Sequence, residues 1–326
     1  MKALITGIGG FVASHLASFL LYETDWKIYG TLRWNDPHDN LKHLSSFMRG
    51  DNPCVITIEA DINDRGSVDE AIRKTEPDYV FHLAAQSYVQ ASFAYPSQTI
   101  QTNIIGTLNL LEAIKTHAPH ALVHNCSSSE VYGRVSREYV PIKEDCPFAP
   151  ASPYSISKIG ADILGRFYHD AYGLKIFTTR AFTHTGAGRG EVFMESTFAK
   201  QIAMIEAGLS KPPILVGNLS SLRTIVDVKD MVRAYYMLLT VNPLPGEVYN
   251  IGGDFSCTVG DILAALLKEA GKDYPYKQDS KRMRPVDADL QIPDCTKFMK
   301  HTGWKPNIPF EETIRSLLEY WRDRVN

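Results

Sequence analysis

At 326 residues, 44% of them hydrophobic, the chain is long enough for one large α/β domain and a smaller one. A net charge of −3 gives no reason to expect a nucleic-acid or membrane partner, and no apolar run reaches the length of a membrane span. The five cysteines (54, 126, 146, 257 and 295) are an odd number without zinc-ligand spacing, so reduced thiols in a cytoplasm and no metal site are the expectation.

The chain opens on a strand, residues 2–6, so no signal peptide is expected. The strand runs into Gly7-Ile8-Gly9-Gly10-Phe11-Val12-Ala13 and then a helical pattern at Leu16, Phe19 and Leu20. A Gly-x-x-Gly-x-x-Ala turn between strand and helix suits a dinucleotide. Gly7 permits the tight turn, Gly10 lets backbone approach a pyrophosphate, and Ala13 allows close helix packing. The helix N-terminus then offers N–H groups and a favourable dipole to the phosphates. The second strand, 27–32, ends at Arg33-Trp34 where an NAD site would place a carboxylate. A cation there suits the 2′-phosphate of NADP. The alternative is that Arg33 is a surface charge, with Asp36 or Asp39 accepting the ribose hydroxyls of NAD.

A third strand, 55–58, leads to Asp61 and Ile62, placed to meet the adenine edge. Asp61 could equally cap a helix starting near Ser67. The fourth, 79–85, closes on Leu83-Ala84-Ala85, whose small residues leave room for the cofactor, and 86–92 begin the sugar side of the cleft. Residues 97–117 read as one helix. Asn103 lies among its apolar positions Ile100, Ile104 and Leu108, which predicts a structural hydrogen bond in the core.

The apolar run 121–123 is a buried strand that delivers Ser127-Ser128-Ser129-Glu130 to its carboxyl end, where open α/β sheets bind ligands. Pro153 suits a helix start and puts Tyr154 and Lys158 one turn apart on the same face. Alone, such a pair is usually a solvated helix face, and a serine run is usually a loop. Following a dinucleotide turn in the right order, they read as a catalytic set. A lysine cation beside a phenol favours the phenolate, and bringing a tyrosine to near neutrality requires about 4 kcal/mol. Glu130 supplies a second base in the same segment.

Further on, 175–180 form a sixth strand, and 181–186, with Thr183 and His184, are expected to line the nicotinamide and sugar. Residues 195–208 make an amphipathic helix, and 214–216 a strand. Residues 225–251 are expected to return to the first domain, while 259–270 and 310–324 are structural helices. Arg223 and Arg284 are the two candidates for clamping a diphosphate, because guanidinium forks bind phosphate oxygens bidentately. The expected architecture is a Rossmann-type doubly wound parallel sheet (1–180) with a smaller α/β C-terminal substrate domain (181–326).

Thr6-Gly7-x-x-Gly10-Phe11, His82-Leu83-Ala84-Ala85, Thr102-Asn103-x-x-Gly106-Thr107, Ser127 to Gly133 and Tyr154-x-x-x-Lys158 together resemble the extended short-chain dehydrogenase/reductases. Within them the chain is most similar to the GDP-mannose 4,6-dehydratases and relatives acting on other GDP-linked hexoses or heptoses. The resemblance rests on Ser-Ser-Ser-Glu, Arg189-Gly190-Glu191, the segment Gly217-Asn218 to Arg223, Arg284-Pro285-Val286-Asp287, and Gly303-Trp304-Lys305-Pro306. Departures are Thr183 for the family's asparagine, Ser128 for its catalytic threonine, and Arg33-Trp34 for a double arginine. The resemblance implies catalysis by Ser128, Glu130, Tyr154 and Lys158, and sugar-nucleotide contacts from Ser129, Thr183, His184, Arg189, Asn218, Arg223 and Arg284. It also implies NADP, with NAD as the alternative, and a homodimer or homotetramer. The activity implied is a 4,6-dehydratase, with a GDP-4-keto-6-deoxy-mannose reductase or other nucleotide-sugar epimerase or reductase as the rival and a non-catalytic dinucleotide sensor behind it.

Overall fold

The structure is a computed structural model that describes residues 1–283, 286 and 288–325. In chain order the first half runs β1 (Lys2–Thr6), α1 (Phe11–Glu23), β2 (Lys27–Leu32), β3 (Val55–Glu59), α2 (Arg65–Thr75), β4 (Tyr79–His82), α3 (Val89–Ala94), α4 (Pro96–Ile100), α5 (Gly106–His117), β5 (Leu122–Ser128), α6 (Pro153–Tyr172) and β6 (Lys175–Ala181). The second half runs β7 (His184–Thr185), α7 (Met194–Glu206), β8 (Ile214–Val216), β9 (Leu222–Asp227), α8 (Val228–Thr240), β10 (Val248–Ile251), β11 (Phe255–Thr258), α9 (Val259–Ala270), β12 (Tyr276–Gln278), β13 (Leu290–Gln291), α10 (Thr296–Thr302) and α11 (Phe310–Val325).

Seven strands form one all-parallel sheet in the order β10-β6-β5-β4-β1-β2-β3. Alternation within each strand feeds two cores. Ala3, Ile5, Phe81 and Phe177 pack with α1 and α8, whereas Leu4, Val80, Val123 and Ile176 pack with α2, α5 and α6. The strand order reverses between β1 and β4, and at such a switch point a crevice opens beyond the carboxyl ends. The expected doubly wound fold is therefore present.

A smaller sheet has β9 at its centre, flanked by β11, β13 and β7, with a separate β8–β12 pair. Helices α7, α9 and α11 cover it through Phe198, Ile202, Leu263, Leu266, Leu317 and Trp321. The segment 225–251 divides between the two layers. Ile225 and Val226 stay in β9 of the smaller sheet, while α8 packs on α1 and β10 pairs with β6.

Three expectations change locally. The 97–117 helix is interrupted by a π turn, Gln101–Ile105, between α4 and α5, because the side chain of Asn103 is drawn inward to bond Gln86. The fourth strand ends at His82, since the N–H groups of Leu83 and Ala84 turn to the Thr6 hydroxyl instead of a neighbouring strand. The cap of α2 is Asp64, which accepts from the Gly66 and Ser67 N–H groups, while the carboxylate of Asp61 is engaged by Asn63. Among the described residues, no helix is long and apolar enough to cross a membrane, and all five cysteines are free thiols.

Candidate active site

The glycine turn joins β1 to α1. Gly7 has φ +68°, and a Cβ there would stand 3.1 Å from the Cα of Ala84, so the turn closes tightly against the end of β4. Gly10 caps α1 without any side-chain cap, leaving the first-turn N–H groups of Phe11 to Ala13 facing the switch-point crevice. A cradle that a single methyl would fill, next to uncapped helix donors, fits the diphosphate of a dinucleotide. Ala84 lies against this turn, and Ala85 follows it beyond the end of β4.

Behind the cradle lies a closed chain of hydrogen bonds. Thr107 Oγ1 donates to the Asn103 carbonyl (2.6 Å), so it must accept from His82 Nε2 (3.0 Å). His82 Nδ1 is then unprotonated and accepts from Thr6 Oγ1 (2.9 Å), whose oxygen in turn receives the Leu83 and Ala84 N–H groups, both at 3.0 Å. Burial pushes His82 down to about 3, so the ring stays neutral. Asn103 sits at the centre of the π turn. Its Oδ1 accepts from Gln86 N–H (2.8 Å), and its Nδ2 donates to the Gln86 carbonyl (3.0 Å) and to Ser157 Oγ (2.8 Å). Ser157 donates to the Tyr154 carbonyl, which links the π turn to the first turn of α6. These partners of Asn103 and the role of His82 escape sequence reasoning. The one available signal is a histidine inside the apolar run Tyr79 to Leu83.

Helix α6 begins with a capping box, Ser152 with Ser155, and Pro153 at its first position, which fixes Tyr154 and Lys158 on the buried side. Tyr154 and Ser128 share a hydrogen bond, and Ser128 Oγ also accepts the Glu130 N–H at 3.2 Å. Glu130, on the short turn Ser129–Val131, is half-buried and close enough for its charge to act on the Tyr154 phenol. The structure thus brings Ser128, Ser129, Glu130, Tyr154 and Lys158 together at the end of β5.

The electrostatics differ from the expectation that Lys158 lowers the tyrosine. Burial holds Tyr154 well above its ordinary value, and the Ser128 hydrogen bond and the Arg189 guanidinium oppose that rise. Lys158 is itself held below its ordinary value by burial, and its ammonium is turned onto the Cys126 carbonyl (2.5 Å). Desolvation outweighs the lysine here, and Arg189 is a cation that faces the phenol.

Arg189 is positioned by aromatic stacking, with its guanidinium 3.6 Å from the Phe193 ring centroid and 5.3 Å from that of Phe11, and by Glu195 at 3.3 Å. His184 lies parallel to Phe11 (6.4 Å), donates to the Phe182 carbonyl through Nδ1 (2.9 Å), and is pushed down to about 4 by burial. Thr183 precedes it and gives its carbonyl to Val226 N–H. The other predicted contacts lie further out. Asn218 orders its own loop through Ser220 and Ser221, and Arg223 donates to the Leu222 and Ala288 carbonyls. Arg284 lies outside the described residues. Arg33, at the end of β2, is bound to Asp36. Among the described residues, no cluster of histidine, cysteine, aspartate and glutamate could hold a metal ion.

A dinucleotide cradle beside a Ser-Tyr-Lys set defines a short-chain dehydrogenase/reductase site, one that takes a nicotinamide dinucleotide. The chain belongs to the GDP-mannose 4,6 dehydratase family, whose profile matches residues 4–317. It is 30% identical to GDP-6-deoxy-D-mannose reductase of Pseudomonas aeruginosa, over 99% of this chain and 98% of that protein. It is 29% identical to GDP-mannose 4,6-dehydratase of Yersinia enterocolitica, over 97% and 92%. Among solved structures it is similar to RMD from Pseudomonas aeruginosa complexed with NADPH, with a TM-score of 0.84, 29% identity and 99% of both chains covered. UDP-glucose 4-epimerase from Thermus thermophilus in complex with NAD gives a TM-score of 0.83 at 27% identity, again over 99% of both chains.

Proposed function

We propose that the protein is a nucleotide-sugar 4,6-dehydratase, a hydro-lyase that converts a GDP-mannose-type hexose or heptose to its 4-keto-6-deoxy form. The observation that carries this reading is Glu130, a carboxylate within electrostatic reach of the Tyr154 phenol and on the turn that follows Ser128. A simple ketone reductase needs only the phenol; removing water also requires a base for C5.

When bound, a nicotinamide dinucleotide supplies the acceptor and later the donor of hydride. As C4 is oxidised, Tyr154, with its hydroxyl bonded to Ser128, would take the proton from O4 as the phenolate, a form that Arg189 and the positive ring of an oxidised nicotinamide would favour against the burial that opposes it. The ketone acidifies the C5–H, which is otherwise far too weak an acid for a carboxylate. Glu130 removes that proton and returns it to the C6 hydroxyl, which leaves as water, with Ser129 as the neighbouring hydrogen-bond donor. With the hydride that such a cofactor would return to C6, the proton held by Tyr154 would be the one needed at C5, delivered directly or through water. Atoms balance as substrate minus water, with no net oxidation. Arg189 and His184 bound the sugar side, and Arg223, Asn218 and Arg284 serve the diphosphate.

NADP is the proposed cofactor, with NAD as the alternative. The enzyme is proposed to work in the cytoplasm as a homodimer or homotetramer; Ile156, Ile163 and Phe167, each about half exposed on one face of α6, support self-association. The likeness to a reductase favours one second reading, a GDP-4-keto-6-deoxy-mannose reductase. Stoichiometry separates the two, since a reductase consumes one reduced cofactor per turnover and a dehydratase none. The direct test is Glu130→Gln, which should still reduce bound cofactor on GDP-mannose yet release no 4-keto-6-deoxy product. Unchanged dehydration in that variant would remove Glu130 from the mechanism.

A further inference from the structure

Strand β2 ends at Leu32, and the next four residues fold back on themselves. Asp36 N–H donates to the Arg33 carbonyl at 3.1 Å. The Asp36 carboxylate accepts the Arg33 backbone N–H on Oδ2 (3.0 Å) and the guanidinium on Oδ1, from Nε at 2.9 Å and Nη2 at 2.6 Å. The arginine side chain is 54% exposed, while the carboxylate is 20% exposed, so the cation projects outward and its counter-ion sits beneath. This pair stands where the second strand of a dinucleotide fold meets the adenosine ribose. Asp61, next along the same edge, adds a second negative charge that acts on Arg33.

We propose that Asp36 sets the dinucleotide preference of this chain by serving as the internal counter-ion of Arg33, whose negative charge a ribose 2′-phosphate must meet. The proposal rests on the nicotinamide-dinucleotide reading above. Two chemistries meet at one turn. A 2′-phosphate is matched by the guanidinium fork, but here Asp36 already holds the Nε–Nη2 side, leaving the Nη1 side for the ligand, and the pair is neutral. A 2′-hydroxyl is matched by a carboxylate, but here both carboxylate oxygens already accept hydrogen bonds. The phosphate takes Arg33 only by leaving Asp36 beside two new negative charges. The ribose hydroxyl gains only the lone pairs that Asp36 has to spare. Each ligand is accepted and neither is strongly preferred, so the unaltered protein binds NADP and NAD with dissociation constants within about tenfold of each other.

The test is a fluorescence or calorimetric titration of the full-length protein with NADP and with NAD, in the unaltered chain, Asp36→Asn and Arg33→Ala. Asparagine keeps an oxygen for the Arg33 N–H, so the turn survives while the charge is removed. Asp36→Asn should shift the NADP-to-NAD affinity ratio toward NADP by about tenfold, and Arg33→Ala should shift it toward NAD by a similar factor. A ratio in Asp36→Asn within twofold of the unaltered protein, or an equal loss of both ligands, would overturn the proposal and leave the dinucleotide reading intact. An unaltered protein that binds neither dinucleotide would overturn both.

Discussion

Acid should unfold this protein earlier than its carboxylates alone would require, and three histidines are the reason. Burial pushes His82 and His124 down to about 3, and His184 to about 4. In the unfolded chain each titrates near its ordinary value of about 6.5. As pH falls below that value the unfolded chain takes up protons that the folded chain refuses, so stability is complete above about pH 6.5 and is lost toward the folded values. Between pH 7 and pH 5 each fully enclosed ring removes about 2 kcal/mol, so His82 and His124 together remove about 4 kcal/mol. His184 keeps some contact with solvent and adds less. Against a typical stability of roughly 5–15 kcal/mol this is a large share. Urea titrations at the two pH values measure it, because most carboxylates have finished titrating by pH 5. His124 bonds Thr179 through Nε2 alone, so His124→Gln can keep that contact through its amide and should lose about 2 kcal/mol less over the same interval. An unfolding free energy that changes by less than about 1 kcal/mol between pH 7 and pH 5 would refute the reasoning.

Asn103→Ala removes three buried hydrogen bonds at the π turn and should cost about 3 kcal/mol of stability, with kcat falling at least about tenfold as the first turn of α6 loosens. Denaturant midpoints and steady-state kinetics read both effects, and a variant with native stability and rate would contradict the tether. Asp162 is fully buried and pairs with Arg180 at 2.9 Å, whose guanidinium also donates to Tyr132 and the Glu144 carbonyl. Asp162→Asn should destabilise by about 3–5 kcal/mol, because a buried cation is left without its counter-charge. A loss below about 1 kcal/mol in the same titration would show that the neighbouring polar groups suffice.

The parallel sheet and the positions of Ser128, Tyr154 and Lys158 are legible in the chain because their signals are local. An apolar run, a glycine turn and a proline at a helix start each act within a few residues. What the sequence hides is long-range. Asn103 sits in an apolar helical pattern, and only the approach of Gln86 and Ser157 explains why the helix there widens into a π turn. Whether Lys158 lowers Tyr154 cannot be judged from a four-residue spacing, since the outcome depends on burial and on the Cys126 carbonyl that holds the ammonium. Arg33 looks like a free cation until the chain is seen to fold Asp36 back beneath it. Each miss is a pairing between groups that the sequence presents separately.

The edge strand β10 has a consequence for biosynthesis. It pairs with β6, yet 66 residues lie between Ala181 and Val248, and they build much of another layer. Until Thr240 clears the ribosome the apolar face of α1 lacks the cover of α8, and until Ile251 clears it β6 presents an open row of peptide groups. The nascent chain therefore cannot complete its first domain before beginning its second. Its most aggregation-prone interval falls late in translation, when holding by a chaperone would matter most.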